Sequence, residues 1–248
     1  MKVKDVHKYI DWYFPFFTAT DFDNVGVLVG GMDAEVKRAV VALDCTKATV
    51  EYAISVGAQL IVTHHPVIFD PLKSIKDDTV VYQCIKNGIA VISAHTNLDV
   101  GRNGINDKLC ERIGLERIAG LYIDGMHIRT GWLKEPMSAK ALAEHCKEKL
   151  SATVKFVDGG KPISRVAVCS GGGGSMLDDV LKSDVDAYIT GDIKHSQFIA
   201  AFNRGFTLID CGHFDTEDII VEPLTELLKK QLPEIEFFEY HGTEIQRV

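Results

Sequence analysis

Short apolar runs alternate with stretches of helical spacing along the chain. The run AVVALD is rich in β-branched residues and predicts a buried strand. The next apolar residues, Val50, Ala53 and Ile54, have the spacing of one helix face, and Gly57 is expected to end that helix. LIV then forms a second apolar run. Strand, helix and strand, with strands that are apolar throughout, predict a parallel α/β sheet.

The same order of elements recurs downstream. When Arg38 is placed on Arg165, an offset of 127, the segments align without a gap and Thr63 falls on Thr190. Further on, NGIAVISAHTNLD resembles RGFTLIDCGHFDTE, which has one extra residue before its histidine. Two matches in the same order indicate an internal duplication.

The pattern therefore predicts an α/β fold of two similar halves, residues 1–124 and 125–248, with mostly parallel sheets flanked by helices. Residues 218–248 read as a helix, VEPLTELLKKQL, followed by a strand, EIEFFEY. This last segment is expected to pack either on the second half or back on the first. Ligand sites in parallel α/β sheets lie at the carboxyl ends of the strands, so a site is expected in a cleft between the halves.

Composition narrows the classes of function. The 248 residues are 46% hydrophobic and 25% charged, as in globular proteins, and the net charge is −8. An acidic chain without a run of basic residues argues against nucleic-acid binding. No apolar stretch is long enough to span a bilayer, and MKVKDVHKYIDWYF lacks the apolar core of a signal peptide.

The pattern of cysteines indicates the cellular compartment. They are scattered and form no C-x-x-C pair, which favours buried reduced thiols in a cytoplasmic protein. The six are Cys45, Cys84, Cys110, Cys146, Cys169 and Cys211.

Polar clusters follow the predicted strands. If the two halves face one cleft, segments that are distant in sequence converge there. The clusters are Thr63-His64-His65, His95 to Asp99, Gly191-Asp192, and His213 to Glu217.

The histidine pair in IVTHHPVIFD is the sharpest signal. Adjacent side chains on a regular strand point to opposite faces, but Pro66 imposes a bend at the strand end. Both His64 and His65 could then face the cleft, each reaching its own metal ion. The alternative is an exposed histidine pair in a loop.

His213 and Glu217 lie four residues apart, which places them on one face if a helix begins there. The alternative for this segment is helix capping by Asp215 or Thr216, although capping does not explain the histidine. Asp99 is a further carboxylate, whose alternative role is to cap a helix that begins near residue 105.

Mixed imidazole and carboxylate ligands suit Zn, Fe, Mn or Co. Two or three histidines and two acids are too many for one closed tetrahedral site, but they fit two ions that share a carboxylate, as in metal-assisted hydrolysis. His95 is either a ligand or, as we favour, a proton carrier beside the metals. Asp192, Lys194 and His195 are candidates for orienting substrate or moving protons, and the alternative for His195 is a helix surface position.

The loop CSGGGGSM follows a strand and precedes a helix. It either presents backbone N–H groups to an anion or forms a tight turn that needs positive φ.

These motifs together resemble one known family. DNVGVLVG, THHP, SAHTNLD, SGGGG, ITGDIKH and GHFDTE, in that order, are similar to the GTP cyclohydrolase I type 2 homologues, also called Nif-three-like proteins. The resemblance runs from Asp23 to Glu217, and the chain looks like the short form without an inserted domain. Val27-Leu28-Val29 stands where the family often has a polar residue, and Ser196 follows His195 where a second histidine is common.

The resemblance implies two α/β halves, a dinuclear metal site and a ring-shaped homohexamer. The family's ligand positions fall here on His64, His65, Asp99, His213 and Glu217, which are the residues that the spacing selects.

Two classes of function follow. In the first, the protein is a dinuclear metallohydrolase that acts on GTP, another nucleotide or a phosphoester, with His95 or His195 moving protons. In the second, it is a metal-binding regulatory or metal-carrier protein without turnover. A purely structural assembly protein is a third alternative.

Overall fold

A computed structural model describes residues 1–123 and 126–246. The strands, in chain order, are β1 (Gly26–Val29), β2 (Arg38–Ala42), β3 (Leu60–Thr63), β4 (Ala90–Ser93), β5 (Glu116–Ile123), β6 (Met126–Met137), β7 (Lys155–Val157), β8 (Ile163–Val168), β9 (Ala187–Thr190), β10 (Thr207–Asp210) and β11 (Glu236–Tyr240). The α-helices are α1 (Val3–Tyr13), α2 (Lys47–Ser55), α3 (Val80–Lys86), α4 (Thr96–Val100), α5 (Ile105–Arg112), α6 (Ala139–Leu150), α7 (Leu177–Val180), α8 (His195–Asn203), α9 (His213–Glu217) and α10 (Val221–Gln231). Short 3-10 segments are Phe16–Thr18, Gly173–Met176 and Asp218–Ile220.

The first compact unit comprises Met1–Arg102 and Ile220–Val248. Its sheet has the order β1-β4-β3-β2-β11, in which β4, β3, β2 and β11 are parallel and β1 is antiparallel to β4. The predicted strand–helix–strand is present as β2, α2 and β3. On α2, Val50 and Ala53 are buried, but Ile54 is 45% exposed and so does not belong to the predicted apolar face.

The second unit comprises Asn103–Ile219. Its sheet has the order β5-β6-β8-β9-β10-β7, with β8, β9 and β10 parallel and the outer strands antiparallel. Neighbouring residues on each parallel strand enter different core clusters, because strand side chains alternate between the faces. Val168 and Ile209 pack in one cluster, while Ala167, Tyr188 and Leu208 pack in another.

Equivalent hydrogen bonds recur in the two units. Arg38 O accepts the N–H of Gln59, and Arg165 O accepts the N–H of Asp186. The side chain of Gln59 in turn accepts from Arg38 N, as the carboxylate of Asp186 does from Arg165 N. The strand registers also correspond, since Val40 opposes Ile61 in one sheet and Ala167 opposes Tyr188 in the other. A repeated backbone pattern of this kind supports the internal duplication.

The expected boundary between residues 124 and 125 lies outside the described residues. On either side of it, β5 and β6 pair as antiparallel neighbours in the second unit, whose first residue is Asn103. The helix and strand predicted for the C-terminal segment are α10 and β11. β11 pairs with β2, which assigns it to the first sheet.

Two general expectations can be compared with the fold. Within the described part of the chain, the longest α-helix has 12 residues, and none is both long and apolar enough to cross a bilayer. All six cysteines are unbridged and five of them are buried.

Candidate metal centre

The segment Thr63-His64-His65 continues the first sheet beyond the end of β3. The backbone N–H of His65 donates to Leu43 O at 3.0 Å. The Thr63 hydroxyl donates to the His65 carbonyl at 2.8 Å and lies 2.8 Å from the Ser93 hydroxyl. Thr63 and Ser93 are fully buried, so two internal hydroxyl groups fix the backbone that presents the histidines.

His64 is buried with a defined tautomer. Its Nδ1 lies 3.0 Å from the Ala94 carbonyl oxygen, which can only accept a hydrogen bond. Nδ1 therefore carries the proton, and the lone pair is on Nε2. That Nε2 lies 3.8 Å from Oδ1 of Asp99, on α4.

His65 and His95 are oriented in the same way by carboxylates. Nδ1 of His65 lies 2.7 Å from Oδ1 of Asp44, and Nδ1 of His95 lies 2.8 Å from Oδ1 of Asp23. In each pair the ring N–H donates to the carboxylate, which leaves Nε2 as the basic nitrogen.

Asp23 is itself held by α4. Its Oδ2 accepts the backbone N–H of Thr96 at 3.0 Å and the Thr96 hydroxyl at 2.5 Å. Burial opposes ionisation of this carboxyl, but hydrogen bonds from His95 and Thr96 outweigh burial and hold the pKa of Asp23 well below its usual value. The side chain of Asp23 is therefore a carboxylate that fixes both the His95 ring and the start of the helix carrying Asp99.

The three imidazoles of the first unit form one cluster. The ring centroids are 4.8 Å apart for His64 and His65, 5.0 Å for His64 and His95, and 5.6 Å for His65 and His95. One ring nitrogen from each lies within 4.8 Å of the others, close enough for all three to reach one metal ion. His95 thus has the geometry of a ligand, and its role as a proton carrier stays a prediction.

In the second unit, His213 and Glu217 lie on one face of α9, as their spacing predicts. Nε2 of His213 is 3.0 Å from Oε2 of Glu217, and its Nδ1 is 2.8 Å from Oδ2 of Asp192. The N-cap of α9 is Gly212, with φ of +81°, so the alternative that Asp215 or Thr216 caps this helix is wrong.

Both ring nitrogens of His213 thus face carboxylate oxygens. A neutral imidazole has only one N–H, so the second contact requires either a proton or a cation to separate two acceptors. A divalent ion between His213 and Glu217 meets this requirement, and the pair therefore fits a metal.

Because Gly171 has no side chain, the side chains of His213 and Glu217 can lie against its backbone. Its φ is +62°, and a Cβ built on it would lie 2.1 Å from Oε1 of Glu217 and 3.1 Å from Nε2 of His213. Its own N–H donates to the Thr216 hydroxyl, and the N–H of Gly173 donates to Thr190. The SGGGG loop is therefore a tight turn packed against α9, and these two N–H groups are used within the protein instead of facing an anion.

His195 is exposed at the first position of α8, after the N-cap Lys194. Its predicted role in proton transfer remains a prediction. Asp192, three residues before His195, contacts His213 and has φ of +55°.

The donor set as a whole suits a metal. In all four histidines Nδ1 contacts an oxygen, the arrangement by which outer groups orient metal-binding imidazoles through Nε2. Sequence reasoning missed Asp23 and Asp44 as orienting groups. Asp44 lies two residues after the end of β2, so its position near a strand end was an available signal.

The family can be assigned from a comparison of sequences. The profile of Duf34/NIF3 (NGG1p interacting factor 3) matches residues 1–245. The chain belongs to the Duf34/NIF3 family. Proteins similar in sequence to this chain include several named GTP cyclohydrolase 1 type 2 homolog. The one from Clostridium acetobutylicum is 34% identical over 88% of this chain and 85% of its own length. The one from Methanocaldococcus jannaschii is 32% identical over 94% and 96%.

Solved structures of Duf34/NIF3 relatives share the fold. A Staphylococcus aureus protein superposes with a TM-score of 0.92 at 26% identity, covering 100% of this chain and 99% of its own. Reduced HcgD from Methanocaldococcus jannaschii superposes with a TM-score of 0.85 at 31% identity, covering 96% and 97%.

Proposed function

We propose that this Duf34/NIF3 protein is a dinuclear metal-dependent hydrolase whose metal ligands are His64, His65, Asp99, His213 and Glu217. The observation that carries the proposal is the contact of His213 with two carboxylates, which requires a proton or a cation at the ring nitrogen that faces Glu217. The oriented imidazoles of the first unit add donors of the same type.

Two divalent ions, such as Zn, Fe or Mn, would lower the pKa of a bound water and polarise the bond that it attacks. The names of the relatives suggest GTP, opened at its imidazole ring, as one candidate substrate. Another nucleotide or a phosphoester is the wider class.

Hydrogen bonds with neighbouring groups orient the histidine rings for this chemistry. Asp44 and Asp192 orient His65 and His213, while the Ala94 carbonyl orients His64. The Asp23 carboxylate holds the Nδ1 proton of His95, so the His95 Nε2 is the atom that would take a proton from a nucleophile. His195 is a second proton carrier in this proposal.

Metal analysis of dialysed protein tests the ligands. We expect about two ions per chain in the wild type, a reduced content in His64→Ala and in His213→Ala, and a full content in His195→Ala. His195→Ala is the matched control, because it removes an imidazole that is not a proposed ligand. A wild type that holds no metal after reconstitution with Zn, Mn or Fe(II) would contradict the proposal.

Turnover separates the hydrolase from a metal carrier. Metal-loaded protein is screened with nucleotides and phosphoesters, and His95→Ala is expected to lower turnover more than metal content. Rapid loss of metal on dialysis, with no turnover of any substrate, would instead support the carrier.

The assembly is part of the proposal. The family resemblance gives a homohexamer as the expected state, which analytical ultracentrifugation measures directly.

A further inference from the structure

An exposed aromatic ring, Phe69, adjoins the histidine cluster of the first unit, and a second, Phe22, lies beside it. Phe22 is 68% exposed and Phe69 is 47% exposed. Their ring centroids are 6.4 Å apart, and the ring of Phe69 stands edge-on to that of His95, with centroids 6.3 Å apart and an interplanar angle of 84°. We call Phe22 and Phe69 the aromatic platform.

The backbone around the platform is fixed by the same residues that order the cluster. Phe22, Asp23 and Asn24 are consecutive, and Asp23 holds the His95 ring. The side chain of Asn24 donates to the carbonyl of Ile68 at 2.6 Å, which ties this loop to the one that carries Phe69. The two rings are therefore attached to loops that are hydrogen-bonded to each other and to the start of α4.

Exposed faces of this kind are suited to stacking. Aromatic rings held in place lose little conformational freedom when a flat ligand stacks on them, and every nucleobase offers a π-face for such a contact. Edge-to-face contact with His95 leaves a ligand stacked on Phe69 close to the imidazoles.

We propose that Phe22 and Phe69 bind the planar heteroaromatic ring of the substrate and place it beside the His64, His65 and His95 cluster. This inference rests on the proposed function and specifies its substrate class as a compound with a flat heteroaromatic ring, such as a nucleobase. The platform residues position the substrate and take no part in the chemical step.

Binding of a matched pair of probes tests the platform. Guanosine 5′-monophosphate and ribose 5-phosphate share the sugar phosphate and differ by the base. Isothermal titration of Zn-reconstituted protein measures the Kd of each, with metal content measured on the same samples. We expect Phe69→Ala to raise the Kd for the nucleotide about tenfold and Phe22→Ala to raise it several-fold, because base stacking is the lost contact.

Three controls accompany these variants. Phe69→Tyr keeps the ring face and should change the Kd for the nucleotide less than about twofold. Phe202→Ala removes another exposed phenylalanine, on α8, and should have no effect. The Kd for ribose 5-phosphate should be the same in all the variants as in the wild type.

The platform is overturned if the wild type does not bind the nucleotide, or if both alanine variants bind it as the wild type does. It is also overturned if the alanine variants change the size of the assembly by gel filtration while nucleotide binding is retained, because the rings would then be a subunit contact. Failure of the proposed function is distinct, since it appears as the absence of metal in every sample.

Discussion

Substitution of Gly171 by alanine tests how closely the SGGGG turn packs on α9. Two costs are expected. Positive φ, here +62°, costs an L-residue roughly 1–2 kcal/mol. The new Cβ would also lie 2.1 Å from Oε1 of Glu217, well inside the ordinary carbon contact of about 3.5 Å, so the carboxylate must shift by more than about 1 Å. Because Glu217 is buried, its carboxylate has little room to move, and overpacking of this kind adds about 1–3 kcal/mol.

Gly160 separates the two costs. Its φ is +75°, but a Cβ there would meet nothing within 4 Å, so Gly160→Ala has the backbone cost alone. The Tm of the chelator-treated protein should fall by about 2–8 °C in Gly160→Ala, and by roughly twice as much in Gly171→Ala.

Metal binding gives the second measurement. Displacement of Glu217 away from His213 should reduce the metal content of Gly171→Ala after dialysis, whereas Gly160→Ala should keep the wild-type content. Equal loss of stability in the two variants, with equal metal content, would refute the argument that Gly171 makes room for the His213 and Glu217 side chains.

Three more predictions concern the first unit. Because the pKa of Asp23 is lowered in the folded state, its stabilisation is present above about pH 4 and is lost as pH falls below that value. In urea unfolding of metal-free protein, the free energy of unfolding of the wild type should therefore exceed that of Asp23→Asn by a constant amount above about pH 5. This difference in free energy should shrink below about pH 4, and a difference that grows in acid would contradict the argument. Asp44→Ala should weaken metal binding about 10- to 100-fold, measured by competition with a chelator, because His65 loses the acceptor of its Nδ1 proton; unchanged affinity would exclude an orienting role. Thr63→Val should lower the free energy of unfolding by about 0.5–1.5 kcal/mol, since the hydrogen bonds of the Thr63 hydroxyl are lost while the Ser93 hydroxyl still donates to the His65 carbonyl at 3.3 Å; an unchanged free energy in urea unfolding would show that the Thr63 hydroxyl adds nothing to that contact.

The parallel strands could be predicted because their signal is local. Runs such as AVVALD and LIV are apolar almost throughout, as buried parallel strands are. The alignment of Arg38 with Arg165 and of Thr63 with Thr190 agrees with the strand register, which is the same in the two sheets. The segment from β5 to β7 gave no comparable run. Its strands are antiparallel, and β5 is mostly exposed, so the apolar signal there is weak.

The proposed ligands were accessible to sequence reasoning for a similar reason. His213 and Glu217 are one helical turn apart, and His64 and His65 are adjacent. The groups that orient them were less accessible. Asp23 and His95 are separated by 72 residues, and only the folded chain brings the carboxylate to the ring.

The helix start at α9 shows a different limit. Asp215 and Thr216 have good N-cap chemistry, yet Gly212 is the N-cap because the chain enters α9 with φ of +81°. The Thr216 hydroxyl instead accepts from Gly171 N, a contact with a distant turn that local propensity does not encode.

The discontinuous first unit has a consequence for how the chain is made. β11 is synthesised after the whole second unit, yet it is the neighbour of β2, which is synthesised before that unit. While the whole second unit is being synthesised, one edge of β2 lacks its native partner, and open edges of parallel strands are sites of intermolecular pairing. A chain without Glu236–Tyr240 never covers that edge, so removal of β11 should cause aggregation that originates at β2.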